Sequence, residues 1–565
     1  MAKRPAAALF LAFLGLYLLT MGGHLYSPDE EILFLTTRSL ADHRSLAIEP
    51  SEPMQGFATR RGVDGREYGQ YGIGQPLLAI PFYLLGGTLA NWAHRTTGDR
   101  PIAFSVVQYH GEAPHEQWER LGVSLFNQFV AALLVMLLFA LAADLTGDRT
   151  AAMMTAVLYG AGTIAWVHSK PFFTETLATL LVFSAFALLV RARLYRRPGW
   201  VTLAGCAAGY ALLTRLDSLF AFPALGVLLV WPDPASGGPV KYRSPTRPTA
   251  GNGRRARGQT LANALGDLLR DQAAWGRIGR FCPPVVLACL VILGLNWVRF
   301  GSPLATGYED QPEGVAFINP LLVGLYGFLF SVGKGLFFFS PPLVLFFWSI
   351  RRFVRHAPPA GWAVIVLVTT VLLVHAKWIN WAGGWCWGPR HIFMVHVFLA
   401  LPICVLLARP RRRIVTVAYA LLLVCGIGVQ LYGTSQNFID YYFIAYRNPY
   451  IAPNATVLYN PSEDGGTIMG WYEVRMRENR FRPEREIAPW QMLAPVTDSI
   501  WRIQNSPWGM YKKMWSEGFH DYFWLERLGW RSRAHAVREM METMDSAAGR
   551  PADSRPGNEK DSRKE

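Results

Sequence analysis

Long apolar runs separated by short polar breaks dominate the chain. Runs such as Ala151–Val167 and Pro359–His375 hold almost no charge, and as helices they can cross the roughly 30 Å of a bilayer's hydrocarbon. Apolar segments fall near 6–22, 76–93, 121–143, 150–167, 175–190, 200–214, 216–232, 281–298, 335–350, 360–376, 391–408 and 413–433. The pattern predicts an all-α polytopic membrane protein.

The distribution of basic residues decides which of these segments cross. If 76–93 does not, the loops on the side of Lys3 and Arg4 collect twenty-three Lys and Arg, including Arg191, Arg193, Arg196, Arg197, Arg351, Arg352 and Arg355. The short loops opposite then keep only Lys170, Arg215, Arg299, Lys334, Lys377 and Arg390. If 76–93 crosses, every later loop changes side and the bias inverts. Short cytoplasmic loops carry the excess of Lys and Arg, so 76–93, rich in Pro and Gly, is expected to lie at the interface. About 11 transmembrane helices follow, with the N-terminus inside and the C-terminus outside.

This topology divides the chain into a membrane domain over 1–433, an extracytoplasmic C-terminal domain over 434–545 and a polar tail over 546–565. Residues 23–120 form one long outward loop, and loops of that length are commonly functional. Residues 233–280, with clustered Pro, Gly and Arg, form a cytoplasmic linker. Met1–Gly22 reads as an uncleaved first helix, because further spans follow and no small-residue cleavage site is evident.

Composition narrows the function classes. The chain has 565 residues, 51% hydrophobic and 17% charged, against about 25% charged in soluble proteins. Its net charge of +15 is accounted for by the inward loops. No basic groove interleaved with aromatics accompanies it, so nucleic acid is not an expected partner. The six cysteines are scattered without a CxxC pair, which predicts neither a disulfide framework nor a zinc site.

Candidate chemistry gathers on the outward side. Asp29 and Glu30 follow the first apolar segment in Tyr26-Ser27-Pro28-Asp29-Glu30-Glu31, where a general base for an acceptor hydroxyl would sit. His168, Lys170 and Glu175 share one short loop. Glu175 is a second candidate carboxylate and, with Asp29, the candidate ligand for a divalent cation such as Mg, Mn or Ca. Lys170, Arg215 and Lys334 are candidate phosphate contacts; for Arg215 the competing reading is a pair with Asp217. Trp381-Ala382-Gly383-Gly384-Trp385-Cys386-Trp387-Gly388-Pro389-Arg390 reads either as an interfacial aromatic belt or as a sugar-stacking loop, with Trp385 and Trp387 ending in a phosphate-gripping Arg390. Tyr68, Tyr71 and Gln75 lead into the interfacial helix and are candidates to line the site.

These motifs resemble the integral-membrane GT-C glycosyltransferases, in particular bacterial relatives of protein O-mannosyltransferases and lipid A aminoarabinose transferases. Ser27-Pro28-Asp29-Glu30 matches the family's acidic motif in the first outward loop. Tyr68–Gly87 matches its stretch leading to a juxtamembrane helix. Glu175 stands where relatives often have Asp, and Arg215 matches a basic residue in a Leu-Thr-Lys-like turn. Trp381–Arg390 matches a Trp-Gly-Gly…Gly-Pro-Arg segment of many bacterial members. The resemblance implies a GT-C-type bundle in the inner membrane and a polyprenyl-phosphate-linked sugar donor. It also implies transfer with inversion to an acceptor protein, lipid or polysaccharide on the periplasmic face. A flippase of lipid-linked saccharides, or a non-catalytic subunit of envelope-glycan assembly, is the alternative.

Overall fold

The computed structural model describes residues 3–49, 58–97, 114–232, 271–308, 317–378, 380–384, 386–408, 412–438, 506–509, 511 and 521–524. Its helices run α1 Lys3–Leu19, α2 Pro28–His43, α3 Gly74–Thr97, α4 Pro114–Ser124, α5 Phe126–Thr146, α6 Arg149–Gly162, α7 Thr174–Tyr195, α8 Gly199–Thr214 and α9 Phe222–Val230. They continue with α10 Gln272–Phe300, α11 Leu321–Phe330, α12 Leu336–Phe339, α13 Phe346–His356, α14 Pro358–Lys377, α15 Phe393–Ala400, α16 Ile403–Leu407 and α17 Arg413–Thr434. One small antiparallel sheet sits between α2 and α3, with β1 Ala47–Ile48, β2 Thr59–Arg61 and β3 Glu67–Gly69 in the order β1-β3-β2. Tyr68 pairs with Ala47 on one side and Arg60 on the other.

Six stretches among the described residues are long and apolar enough to cross a membrane: His115–Thr146, Thr174–Tyr195, Gln272–Phe300, Pro358–Lys377, Arg390–Leu407 and Arg413–Thr434. Arg4–Leu19, Gly199–Thr214, Leu216–Val230 and Leu321–Phe330 are shorter apolar helices. The protein is thus a multi-pass helical membrane protein. Helix α3 is not among the six. It contains Pro81 and leaves Leu77, Leu78, Leu84, Leu85 and Trp92 exposed on one side, an apolar face suited to lipid contact. Its other side presses on α4, where a Cβ at Gly86 would stand 2.4 Å from the Trp118 carbonyl.

Two expected helices differ from their sequence reading. Segment 335–350 is not one span but α12, a 3₁₀ turn over Pro341–Leu345, and the start of α13. Pro341 and Pro342 supply no N–H and break the ladder. The freed polar groups are taken up elsewhere: Gln430 donates to the Phe339 carbonyl (2.7 Å), and Ser340 Oγ accepts from the Ile164 N–H (3.1 Å). Segment 391–408 remains one spanning stretch, Arg390–Leu407, with its helix interrupted near Pro402 between α15 and α16. Helix α11, ten residues long, was not anticipated as a separate apolar element.

The core lies where α5, α7 and α15 meet, with Leu138, Phe183, Phe186 and Phe398 fully buried. Apolar side chains on α10 and α17, such as Leu287, Leu290, Leu421 and Val424, point outward, as lipid contact requires. The two ends of the bundle differ in charge chemistry. At one, Arg191 donates to Asp144 (2.6 Å) and His356 bonds the Leu145 carbonyl (2.8 Å), gathering the arginine-rich turns. At the other, the N-termini of α2 and α7 meet the C-terminus of α8.

The described parts of 434–545 pack on the membrane helices and their loops. Tyr511 is buried against Trp387 and Tyr432, and Phe523 N–H donates to the Met21 carbonyl (3.1 Å). The tail 546–565 and residues 233–270 of the expected linker 233–280 lie outside the described residues, and 272–280 is not linker but the start of α10.

Backbone contact between the stretch after β3 and the end of α8 holds the acidic end together. A Cβ at Gly72 would stand 2.3 Å from the Leu213 carbonyl oxygen, and backbone cannot yield as a side chain can. Gly72→Ala is therefore expected to destabilise the protein by about 1–3 kcal/mol, read as a lowered thermal midpoint in detergent; an unchanged midpoint would contradict this packing.

Candidate active site

The acidic motif opens α2. Ser27 is extended at the N-cap, Pro28 takes the first helical position, and Asp29, Glu30 and Glu31 fill the first turn. Pro at that position and carboxylates at a helix N-terminus are both locally favoured. Glu175 occupies the same place in α7, and Arg215 caps the C-terminus of α8 in an extended conformation. Arg390 follows a loop in which Gly383, Gly384 and Gly388 have φ of 77°, 63° and 66°. This left-handed region suits glycine, which explains the Gly-Gly and Gly-Pro punctuation.

These four residues converge. Tyr71 donates its hydroxyl hydrogen to Asp29 Oδ1 (2.8 Å), and Arg390 Nη1 donates to Asp29 Oδ2 (3.2 Å). Arg390 Nε lies 3.4 Å from Glu175 Oε1, and Arg215 Nη1 lies 2.9 Å from the same oxygen. Arg215 also grips Asp217 through two nitrogens (Nη2–Oδ2 2.6 Å, Nε–Oδ1 3.0 Å) and donates to Thr174 Oγ1 (3.1 Å). His375 Nε2 stands 3.7 Å from Asp217. The result is an alternating chain, Asp29–Arg390–Glu175–Arg215–Asp217, ending beside a histidine. Arg390 also covers the Phe173 ring, 4.4 Å from its centroid.

Accessibility separates the two carboxylates. The Asp29 side chain is 24% exposed and that of Glu175 6%, with Arg390 at 14% and Arg215 at 21%. Glu175 is an internal tie between two arginines; Asp29 is the one a substrate can reach. Arg390 bridges Asp29 and Glu175, the pair considered for a divalent cation. Among the described residues no group of three or more His, Cys, Asp or Glu is placed to hold a metal ion.

Other predicted residues lie elsewhere. Glu30 is fully buried and turned away from the chain of charges, accepting from the Phe172 N–H (2.7 Å) and paired with Ser27 Oγ (3.1 Å). It braces α2 against the loop before Glu175. Lys170 is not a phosphate contact facing the cluster: its ammonium is buried on Asp521 (2.7 Å) and on the Thr434 carbonyl. Lys334 is buried too, donating to the carbonyls of Gly384 (2.8 Å) and Cys386 (2.9 Å); it shapes the loop that delivers Arg390. His168 bonds the Trp387 carbonyl (2.8 Å) and burial lowers its pKa to about 3, so it is a neutral packing group. Tyr68 sits in the sheet and donates to Asp64 (2.8 Å). Trp387 is enclosed by Phe339, Trp508 and Tyr511 and offers no face to a sugar. Gln75 donates to the Phe172 carbonyl (2.7 Å). Trp385 lies outside the described residues.

Three residues join the cluster without having been singled out. Burial raises the Tyr308 phenol, which also feels the charges of Arg215, Asp217, Asp29 and Glu175. His375 lies in α14 beside Asp217. His391 is buried with both ring nitrogens unpartnered, 4.4 Å from the Trp378 ring. The adjacency of Arg390 and His391 in the Gly-Pro-Arg-His run is the one signal that pointed to it.

Residues 117–241 match the family model described as dolichyl-phosphate-mannose-protein mannosyltransferase. That stretch contains Glu175, Arg215 and Asp217, so the resemblance read from the motifs is shared by an independent match over part of the chain. No curated protein matches the sequence. Among solved structures, the chain is similar to ArnT from Cupriavidus metallidurans bound to undecaprenyl phosphate, at 12% identity and a TM-score of 0.44, covering 91% of this chain and 78% of that one. It is also similar to the apo oligosaccharyltransferase from Archaeoglobus fulgidus, at 12% identity and a TM-score of 0.41, covering 80% of this chain and 59% of that one.

Glu30 carries a pH-dependent prediction. Its burial raises the carboxyl from an ordinary value of 4.5 to about 8. Between those values the folded protein keeps a proton that the unfolded chain has lost, so stability contributed here is present below pH 4.5 and falls as pH rises toward 8. Gln keeps an acceptor for Phe172 N–H and a donor for Ser27. Relative to wild type, Glu30→Gln is expected to gain in thermal midpoint steadily from pH 5 to pH 8; a pH-independent difference would contradict the buried, protonated assignment.

Proposed function

We propose that the protein is a glycosyltransferase of the membrane. It moves a sugar from a polyprenyl-phosphate carrier to an acceptor hydroxyl on the extracytoplasmic face, with inversion. The single observation that carries this reading is the junction of Asp29 with Arg390, Glu175 and Arg215 at the membrane end opposite the arginine-rich turns. The family-model match over 117–241 supports it, as does the charge partition of the loops, which favours the outward side for the junction.

The chemistry follows from the parts. A departing lipid phosphate needs positive charge that is already oriented, because preorganised groups stabilise charge developing in the transition state. Arg215 and Arg390 are oriented by one carboxylate, Glu175, and arginine's planar fork suits a phosphate. Asp29 takes the proton of the attacking hydroxyl. Tyr71 and Arg390 occupy its two oxygens. A phosphate drawn to Arg390 competes for that guanidinium and frees Oδ2 for the acceptor, so the base becomes available as the donor arrives. The carbon–oxygen bond to phosphate breaks as the acceptor oxygen bonds the anomeric carbon. The carrier leaves as its phosphate, and the proton rests on Asp29. His391, with its two idle nitrogens beside Arg390, and the neighbouring Trp378 ring are placed to meet sugar hydroxyls and a sugar face.

Removing a general base typically lowers the rate about 10²–10⁴-fold. Asp29→Asn is expected to fall within that range while remaining folded. The assay is release of undecaprenyl phosphate from a panel of undecaprenyl-phosphate sugars by purified protein. Full turnover by Asp29→Asn would overturn the role of Asp29. Tyr71→Phe removes one donor to Asp29 but leaves its carboxylate, and is expected to lower kcat by about tenfold or less, as loss of one hydrogen bond implies; a loss as deep as that of Asp29→Asn would make Tyr71 the proton acceptor's equal.

A further inference from the structure

The buried ion pair that takes Lys170 out of the phosphate site has its own consequence. Asp521 belongs to the region after the last long helix, yet its carboxylate is enclosed by the loops of the membrane domain. Its Oδ1 meets His24 Nε2 (2.7 Å), and its Oδ2 accepts from the Tyr26 hydroxyl (2.7 Å) and meets Lys170 Nζ (2.7 Å). Both charged side chains of the Lys170–Asp521 pair are only 2% exposed. Lys170 donates in addition to the backbone carbonyls of Thr434 and Asp521 itself (2.7 and 3.1 Å). The chain around Asp521 is tied as well: the Asp521 N–H donates to the Ser435 carbonyl (3.0 Å), the Phe523 N–H to the Met21 carbonyl (3.1 Å), and the Trp524 side-chain Nε1 to the Leu18 carbonyl (2.8 Å).

The partners matter because of what they are attached to. Tyr26 stands three residues before Asp29, and Lys170 five residues before Glu175. The two loops are then cross-braced by Glu30, which accepts from Phe172 N–H. One carboxylate thus registers the strand of chain carrying the accessible acid against the strand carrying the arginine tie. We propose that Asp521 is a positioning residue for the transfer reaction: by clamping Tyr26, His24 and Lys170 it holds Asp29 and Glu175 in mutual register, so that the C-terminal region completes the site rather than serving as a detachable acceptor module. The role in turnover rests on the glycosyltransferase reading; the registration of the loops does not.

A misplacement on the order of 1 Å can cost about 10²-fold in rate. Asp521→Asn keeps the volume and an acceptor for Tyr26 while removing the charge that Lys170 faces. For the full-length protein, hydrogen–deuterium exchange is expected to show faster uptake in 24–31 and in 168–176. Turnover with whichever undecaprenyl-phosphate sugar is accepted should show kcat lowered by about 10–10²-fold, with KM for that donor changed far less. Unchanged uptake in both loops, or an unchanged kcat for the folded fraction, overturns the proposal. The exchange measurement needs no turnover, so it stands apart from any failure of the glycosyltransferase reading, which Asp29→Asn tests. Should Asp521→Asn not fold, Tyr26→Phe removes one donor from the same carboxylate. It is expected to raise uptake in 24–31 alone, and no change there counts against the clamp.

Discussion

The sharing of Glu175 between Arg215 and Arg390 is the interaction on which the rest of the site depends. Charges near a bilayer face are costly unless paired, and burying an ion pair stabilises little unless its geometry is well satisfied. The molecule meets both conditions by alternation. Every carboxylate in the chain from Asp29 to Asp217 touches an arginine, and each arginine touches two carboxylates. Cutting the chain at Glu175 would leave two guanidinium groups side by side with no anion between them. Arg390 Nε and Glu175 Oε1 face each other at 3.4 Å without an aligned hydrogen bond, while Arg215 Nη1 stands 2.9 Å from the same oxygen.

The fold exists around this junction as a way of bringing distant stretches to one end of a bundle. Asp29 enters on α2, Glu175 on the first turn of α7, Arg215 at the last turn of α8, and Arg390 from the glycine-bent loop before α15. Three supports fix their register. Gly72 lets the Tyr71 stretch lie directly on the end of α8. Lys334 ties the carbonyls of the Gly384–Cys386 loop. Glu30 and Asp521 each tie the segment around Asp29 to the loop before Glu175. Lysines and acids that a motif reading assigns to substrate are used here to hold backbone.

Much of this was legible in the sequence, for physical reasons that can be stated. The partition of Lys and Arg among loops is a long-range electrostatic constraint written in one dimension, and it placed Asp29, Glu175, Arg215 and Arg390 on a common side before any coordinates. Glycines in Gly-Gly and Gly-Pro pairs marked the loop that bends toward Arg390. What could not be read was the difference between a charge that faces a ligand and one that faces backbone. Lys170 and Lys334 have the same local signature as a phosphate contact, and their partners lie 351 and 52 residues away. His375 and Asp521 were invisible for the same reason. The break in 335–350 is written as Pro341-Pro342 inside an otherwise apolar run.

The most direct measurement of the central claim is a double-mutant cycle on Arg215 and Arg390, each changed to Gln, with affinity for undecaprenyl phosphate as the readout. Two arginines tied by one carboxylate and gripping one phosphate are predicted to be coupled, with an interaction energy of about 0.5–3 kcal/mol. Strict additivity, or affinity indifferent to both changes, would mean that the two cations do not share a ligand and that the junction at Glu175 is structural only.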